Sequence, residues 1–337
     1  MTRDLAADAH AVFLPAFADL ELTSVLKNHI ARGGCSLLAG EGREEYVARE
    51  MSEERQSGET AQHIRDFADT AAAMTEGSLL LAVDQELAGI RRLQHLVPDL
   101  PGRAEAHALS DQELRDQCAK TAQAARKIGV NLFLAPIVDR VTGRNVWLDG
   151  RTMADDIETI SRLAIGFIEG VQSQHVVATA KHFPGFSDIS GDPAIDKTAK
   201  TTLDRSEILA NAAPFRAAIQ AGVKAVMVGP APLPEIDPDQ AASCSPVVHD
   251  MLRGDFGFGG LIISDDLDSA AVMRDDPLET CVVNALKAGS DLLLVASGPH
   301  LPDLVAYVLE AVRKGDLPAE RLSEAADRVR VAAKWAS

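Results

Sequence analysis

Cysteine is scarce in this chain, with four in 337 residues. Cys35, Cys118, Cys244 and Cys281 lie far apart, with no C-x-x-C pair and no histidine at ligand spacing. This argues against a zinc site or a disulfide framework and leaves four buried or incidental thiols. Positive charge is short as well: 33 Lys and Arg stand against 50 Asp and Glu, a net charge of -17. With no basic cluster to meet phosphates, a nucleic-acid partner is not expected. Nor does such a surface attract an anionic membrane. No apolar run approaches the ~18 residues of a membrane span. Met1-Thr2-Arg3-Asp4 carries an acid early with no long apolar core behind it. No signal peptide is therefore expected, and a cytoplasmic location is.

Other absences narrow the chemistry. No G-x-G-x-x-G follows an early strand and no Walker motif occurs, so a nucleotide cofactor lacks its fingerprint. Neither a metal nor any other cofactor is expected. Nor is there a glycine cluster at a helix N-terminus, which a phosphate-dependent transferase would need. The chain has no repeat, linker or low-complexity segment, and 46% of it is hydrophobic. One domain over residues 1–337 is expected, as a monomer or homodimer.

What is present is a series of short hydrophobic bursts. The clearest is Val176-Val177-Ala178-Thr179-Ala180-Lys181-His182-Phe183-Pro184-Gly185, a buried strand ending in a Lys-His pair and a Pro-Gly break. Similar runs cover residues 11–17, 34–40, 78–83, 130–138, 225–229, 260–264 and 291–295. Helical spacing fills the intervals 20–31, 42–76, 110–128, 154–173, 206–221, 277–288, 300–313 and 319–335, with Gly222 as a C-cap. Residues 140–151 and the Pro-rich 230–246 read as loops. Eight strands alternating with helices imply a parallel sheet, and a count of eight favours a closed α/β barrel of the TIM (β/α)8 type. In such a barrel the ends of the strands meet on one rim. There the sequence puts Asp84 and Glu86, Asp139, Lys181 and His182, and Asp265 and Asp266. Ionisable groups gathered there are costly to desolvate, and a polar ligand accounts for them best. Paired carboxylates point to nucleophilic and acid–base work on a sugar.

Val83-Asp84-Gln85-Glu86, Ala135-Pro136-Ile137-Val138-Asp139, Lys181-His182-Phe183-Pro184-Gly185 and Ile263-Ser264-Asp265-Asp266-Leu267 occur in the order and spacing of the family 3 glycoside hydrolases. The chain resembles most the family's single-domain bacterial β-N-acetylglucosaminidases, over nearly its whole length. Pro214-Phe215-Arg216-Ala217-Ala218-Ile219 and Ala288-Gly289-Ser290-Asp291-Leu292-Leu293-Leu294 add to the likeness. The resemblance implies a retaining hydrolase acting on the β-glycoside of an N-acetylated or amino sugar, with a small carbohydrate as its partner. It makes Asp265 the nucleophile. Asp84, Arg151, Lys181 and His182 would hold the sugar hydroxyls, and Asp266 would serve the turn or the surroundings of Lys181.

The chain also departs from the family pattern. After KHFPG the family continues with an Asp-Ser-His triplet whose histidine is the general acid/base. Aligned without gaps, Asp192 falls on that Asp and Ala194 on the histidine, and no histidine occurs between His182 and His249. The family's Gly-Gly-Arg after Asp-Gln-Glu is Leu87-Ala88-Gly89, which can fill space near the sugar, while Arg91 and Arg92 remain as donors. Three outcomes stay open. A loop carboxyl (Asp188, Asp192 or Asp196) replaces the histidine, its pKa raised by Phe186 and Ile189. Alternatively the leaving group needs little acid help, or the protein binds a sugar without cleaving it.

Overall fold

The computed structural model describes residues 4–75, 77–295 and 298–337; Met1–Arg3, on which the signal-peptide expectation draws, lie outside them. Eight short strands carry the architecture: β1 (Phe13–Phe17), β2 (Ser36–Ala39), β3 (Leu80–Val83), β4 (Leu132–Phe133), β5 (Val177–Phe183), β6 (Ala225–Val228), β7 (Leu261–Ser264) and β8 (Leu293–Val295). Each pairs in parallel with the next, and β8 pairs with β1. A parallel bridge between Ile263 and Leu292 joins β7 to β8 and completes the ring. The expected (β/α)8 barrel is therefore the observed fold.

Side chains alternate along the strands, as the pleat requires. In β3, Leu80 and Ala82 belong to one buried cluster, with Leu38, Leu134, Met227 and Leu293. Leu81 and Val83 belong to the other, with the helices Ala61–Ala72, Asp111–Lys127 and Ile157–Gln172. Leu38, Leu134, Met227 and Leu294 of the first cluster form the floor of a cavity at the barrel mouth and so face the barrel interior, while the rest of that cluster extends to the helices Leu301–Lys314 and Ala319–Trp335.

Several elements differ from the sequence pattern. The described residues of the 42–76 interval form three helices, Arg43–Ala48, Glu53–Gly58 and Ala61–Ala72, rather than one. The 206–221 helix is broken into Arg205–Asn211 and Ala213–Gln220, because Pro214 can donate no backbone hydrogen bond and sits in the first turn of the second piece. Gly222 does end it, with φ of 78°. The run 130–138 pairs as strand only over two residues before the Ala135-Pro136 peptide, which is cis. Within the 230–246 loop, Pro232–Leu233 and Asp237–Ala241 pair as a small antiparallel hairpin. A helix at Leu5–Ala11, capped by Asp4, precedes β1. No helix among the described residues is long and apolar enough to cross a membrane.

Candidate active site

The C-terminal ends of β2, β3, β5 and β7 open onto a cavity of about 300 Å³. Its polar wall is made by Glu41, Asp84, Arg151, Lys181, His182, Asp265 and Asp266. Five of the eight residues proposed for the site from sequence thus share one space: Asp84, Arg151, Lys181, His182 and Asp265.

Lys181 is buried and sits between two carboxylates, its Nζ 2.6 Å from Asp84 Oδ1 and 2.9 Å from Glu86 Oε1. Burial works against its charge, but Asp84 and Glu86 outweigh burial and raise its pKa, so it stays an ammonium. Glu86 is held in turn by Arg151, whose Nη2 lies 2.5 Å from Oε1 and whose Nε lies 3.2 Å from Oε2. Burial alone would raise the Glu86 carboxyl, yet Arg151 and Lys181 bring it down to about 2. Arg151 also donates to the hydroxyl of Tyr46, 3.1 Å away, which accepts from the Trp147 indole at 3.2 Å. This network fixes two cations and Asp84 on the wall, with donors and acceptors suited to neighbouring hydroxyl groups.

His182 is oriented from behind. Asp139, fully buried in the segment that follows β4, accepts three N–H groups: the His182 backbone at 2.8 Å, the Phe186 backbone at 2.8 Å and His182 Nδ1 at 2.9 Å. A carboxylate accepts, so Nδ1 carries the hydrogen and Nε2 is left facing the cavity. It lies 4.0 Å from Asp265 Oδ2. The Trp147 ring packs on the imidazole at 4.5 Å between centroids.

Asp265 follows β7 directly. Its backbone N–H is anchored on Val228 O at 2.9 Å and Ser243 Oγ at 3.1 Å, and its Oδ1 accepts the Asp266 N–H at 2.8 Å. Oδ2 has no partner. Burial raises the pKa of this carboxyl, and the neighbouring His182, Lys181 and Arg151 oppose the rise. A carboxylate that is short of hydrogen bonds and close to cations suits attack on an electrophilic carbon.

The loop carboxyls fall elsewhere. Asp188 lies off the cavity, accepting from the Arg144 N–H at 3.1 Å and from Thr202 Oγ1 at 2.7 Å. It tethers two loops. Asp192 accepts the Ala194 N–H at 3.0 Å and faces Arg43 Nη2 at 3.6 Å. It stands behind the wall that its neighbours Pro193 and Ala194 form. Asp196 caps a turn through Thr198. Arg92 also turns away: its guanidinium is buried against Glu59, at 2.5 and 2.8 Å, and Gly40 O, at 2.7 Å. Nor does Leu87 fill the sugar space; it is buried in the helix-facing cluster. Gly89, with φ of 153°, is required where it stands, because a Cβ there would collide with the Glu86 carboxylate.

Glu41 and the ring contacts of Tyr46 and Trp147 were not foreseen. Glu41 directly follows the glycine-bounded run 34–40, so the strand-end rule that found Asp84 and Asp265 applies to it too. Nothing in the sequence marked Tyr46 or Trp147. Among the described residues, no group of three or more His, Cys, Asp or Glu is placed to hold a metal ion.

A family model described as the Glycosyl hydrolase family 3 N terminal domain matches residues 36–332. A Beta-hexosaminidase of Stenotrophomonas maltophilia (strain K279a) is 30% identical over 263 residues, covering 75% of this chain and 76% of that protein. A Beta-hexosaminidase of Xylella fastidiosa (strain M23) is 33% identical over 268 residues, covering 74% and 77%. Two solved structures share the fold at low identity. The family 3 β-N-acetylglucosaminidase of Paenibacillus sp. str. FPU-7 superposes with a TM-score of 0.88 at 22% identity, covering 99% of this chain. This chain spans 63% of that enzyme's length. The β-N-acetylhexosaminidase of Beutenbergia cavernae DSM 12333 gives 0.86 at 23% identity, with 98% of both chains covered.

Proposed function

The chain belongs to the glycosyl hydrolase family 3 N-terminal domain family and is a glycoside hydrolase; from that premise we propose that it cleaves the β-glycoside of an N-acetylated or amino sugar with retention. Asp265 attacks the anomeric carbon. Asp84, Lys181, Arg151 and His182 hold the ring hydroxyls, and the proton for the leaving oxygen comes from a group other than histidine. The observation that carries this reading is the convergence of these five side chains, from β3, β5, β7 and one loop, on a single cavity of about 300 Å³. A volume of that order suits one monosaccharide ring.

The cationic wall and the polarised carboxylate fit a double displacement. Charge-assisted contacts to the hydroxyls hold the ring while positive charge develops at the anomeric carbon above Asp265. No histidine comes from the loop after β5; that wall is made by Pro193 and Ala194. This favours a second reading, a barrel that binds the sugar without turning it over. Losing general acid help removes roughly 10²–10⁴-fold in rate rather than all of it. The test is incubation with an activated 2-fluoro glycoside, followed by peptide mass analysis. A glycosyl adduct on the peptide holding Asp265 is expected. Sugar binding by calorimetry, with neither adduct nor aryl release, refutes hydrolysis and leaves the binding protein.

A further inference from the structure

We infer that Asp266 is the group that protonates the leaving oxygen, with Asp268 as its proton-holding partner. The inference rests on the retaining reaction proposed above and names the acid that reaction requires.

Three carboxyls other than the nucleophile line the cavity: Glu41, Asp84 and Asp266. Asp84 is bound to Lys181 and is committed as an acceptor. Glu41 has Asp84, Glu86, Lys181 and Arg92 as its charged neighbours, which puts it on the hydroxyl-gripping side. Asp266 remains, and its surroundings differ. Its charged neighbours include Asp268, Asp265 and the cation Arg43. Arg43 faces Asp192 and thereby links Asp266 to the loop that follows β5. That loop is docked on the segment just past Asp266: Ala271 N–H donates to Pro193 O at 3.0 Å and Ala270 N–H to Ala194 O at 3.3 Å. Asp266 therefore lies at the loop side of the cavity, where Pro193 and Ala194 form the wall.

Its chemistry suits an acid. Oδ1 is shut off from solvent and has no hydrogen-bond partner, a poor setting for a carboxylate. Burial first, and then the hydrogen-bonded Asp268 and the charge of Asp265, hold the carboxyl well above the usual range. Two acids, one ionised as nucleophile and one kept neutral by its surroundings, are the pairing a retaining site needs. In the first step the Asp266 proton passes to the glycosidic oxygen. The bond from that oxygen to C1 breaks, the aglycone leaves as an alcohol, and an Asp265 carboxylate oxygen bonds to C1. In the second step the Asp266 carboxylate takes a proton from water as the water oxygen bonds to C1 and Asp265 is released.

The experiment compares Asp266→Asn and Asp192→Asn in the full chain, using a 2,4-dinitrophenyl and an alkyl N-acetyl-β-glucosaminide, with and without azide. Asp266→Asn is expected to lose about 10²–10⁴-fold in kcat/KM on the alkyl glycoside and far less on the dinitrophenyl one. With azide it is expected to yield the β-glycosyl azide. Equal losses on both substrates with no azide product, or the same pattern from Asp192→Asn instead, overturn the assignment. Asp268→Asn gives an independent readout. It removes a charge that keeps Asp266 protonated, so the basic limb of the pH profile should move to lower pH. An unmoved limb also overturns it. Trapping of Asp265 in the wild-type chain separates this failure from failure of the retaining reading.

Discussion

Glu41 offers a test of the site's electrostatics that needs no substrate. It closes the β2 end of the cavity, its Oε2 is enclosed and has no partner, and burial with Asp84 and Glu86 pushes its pKa up to about 8, against the pull of Lys181 and Arg92. In the unfolded chain the same carboxyl releases its proton near 4.5. Between these values the folded chain keeps a proton that the unfolded chain has lost, so folding takes up a proton. Stability is then lost as pH rises, by about 1.4 kcal/mol per pH unit from this group alone. Glu41→Gln keeps the shape and removes the titration. The advantage of the variant over the wild type should therefore widen by roughly 2–3 kcal/mol between about pH 5 and pH 7 and level off above pH 8. Urea unfolding of both proteins across that range measures it, since the difference cancels the titrating groups remote from Glu41. A constant difference would mean that Glu41 is ionised at neutral pH and paired with Lys181 or Arg92, which would refute the neutral-carboxyl account.

Lys181→Met removes the cation between Asp84 and Glu86, which strands Asp84 and leaves Glu86 to Arg151 alone, so a loss of roughly 3–5 kcal/mol in stability is expected, together with loss of sugar binding by calorimetry. Asp265→Asn is nearly isosteric and should leave the thermal midpoint close to that of the wild type while abolishing turnover of an aryl glycoside. Because burial raises the Asp265 pKa, the nucleophile is lost to protonation at a higher pH than an ordinary aspartate near 3.9 would be. The acid limb of kcat/KM should accordingly lie above that value, and a limb at or below it would contradict the burial seen. Gly89→Ala should destabilise the chain and lower activity together, because its Cβ displaces the Glu86 carboxylate that holds both Arg151 and Lys181.

The barrel was legible because each strand is a short apolar burst, and several of those bursts run into a charge. Asp84, Lys181, His182 and Asp265 were found by that rule, and Glu41 obeys it too. Elements stabilised by remote partners were harder to read. The Leu5–Ala11 helix buries Asp8, which looks polar in sequence but accepts from Ser323 Oγ and Arg330 Nη1, each at 2.7 Å, over 300 residues away. The loop after β5 is the sharper case. Asp188 and Asp192 were candidates because they lie on the loop where the family carries its acid/base histidine. In a loop, however, the side-chain direction is set by the path of the chain, and short acidic side chains are drawn to nearby backbone N–H groups. Asp188 takes the Arg144 N–H and Asp192 the Ala194 N–H, so neither is left as a free acid in the cavity. Beside the nucleophile, by contrast, Asp266 Oδ1 is left unsatisfied, and the proton donor inferred above lies there rather than in the loop where the family pattern directs attention.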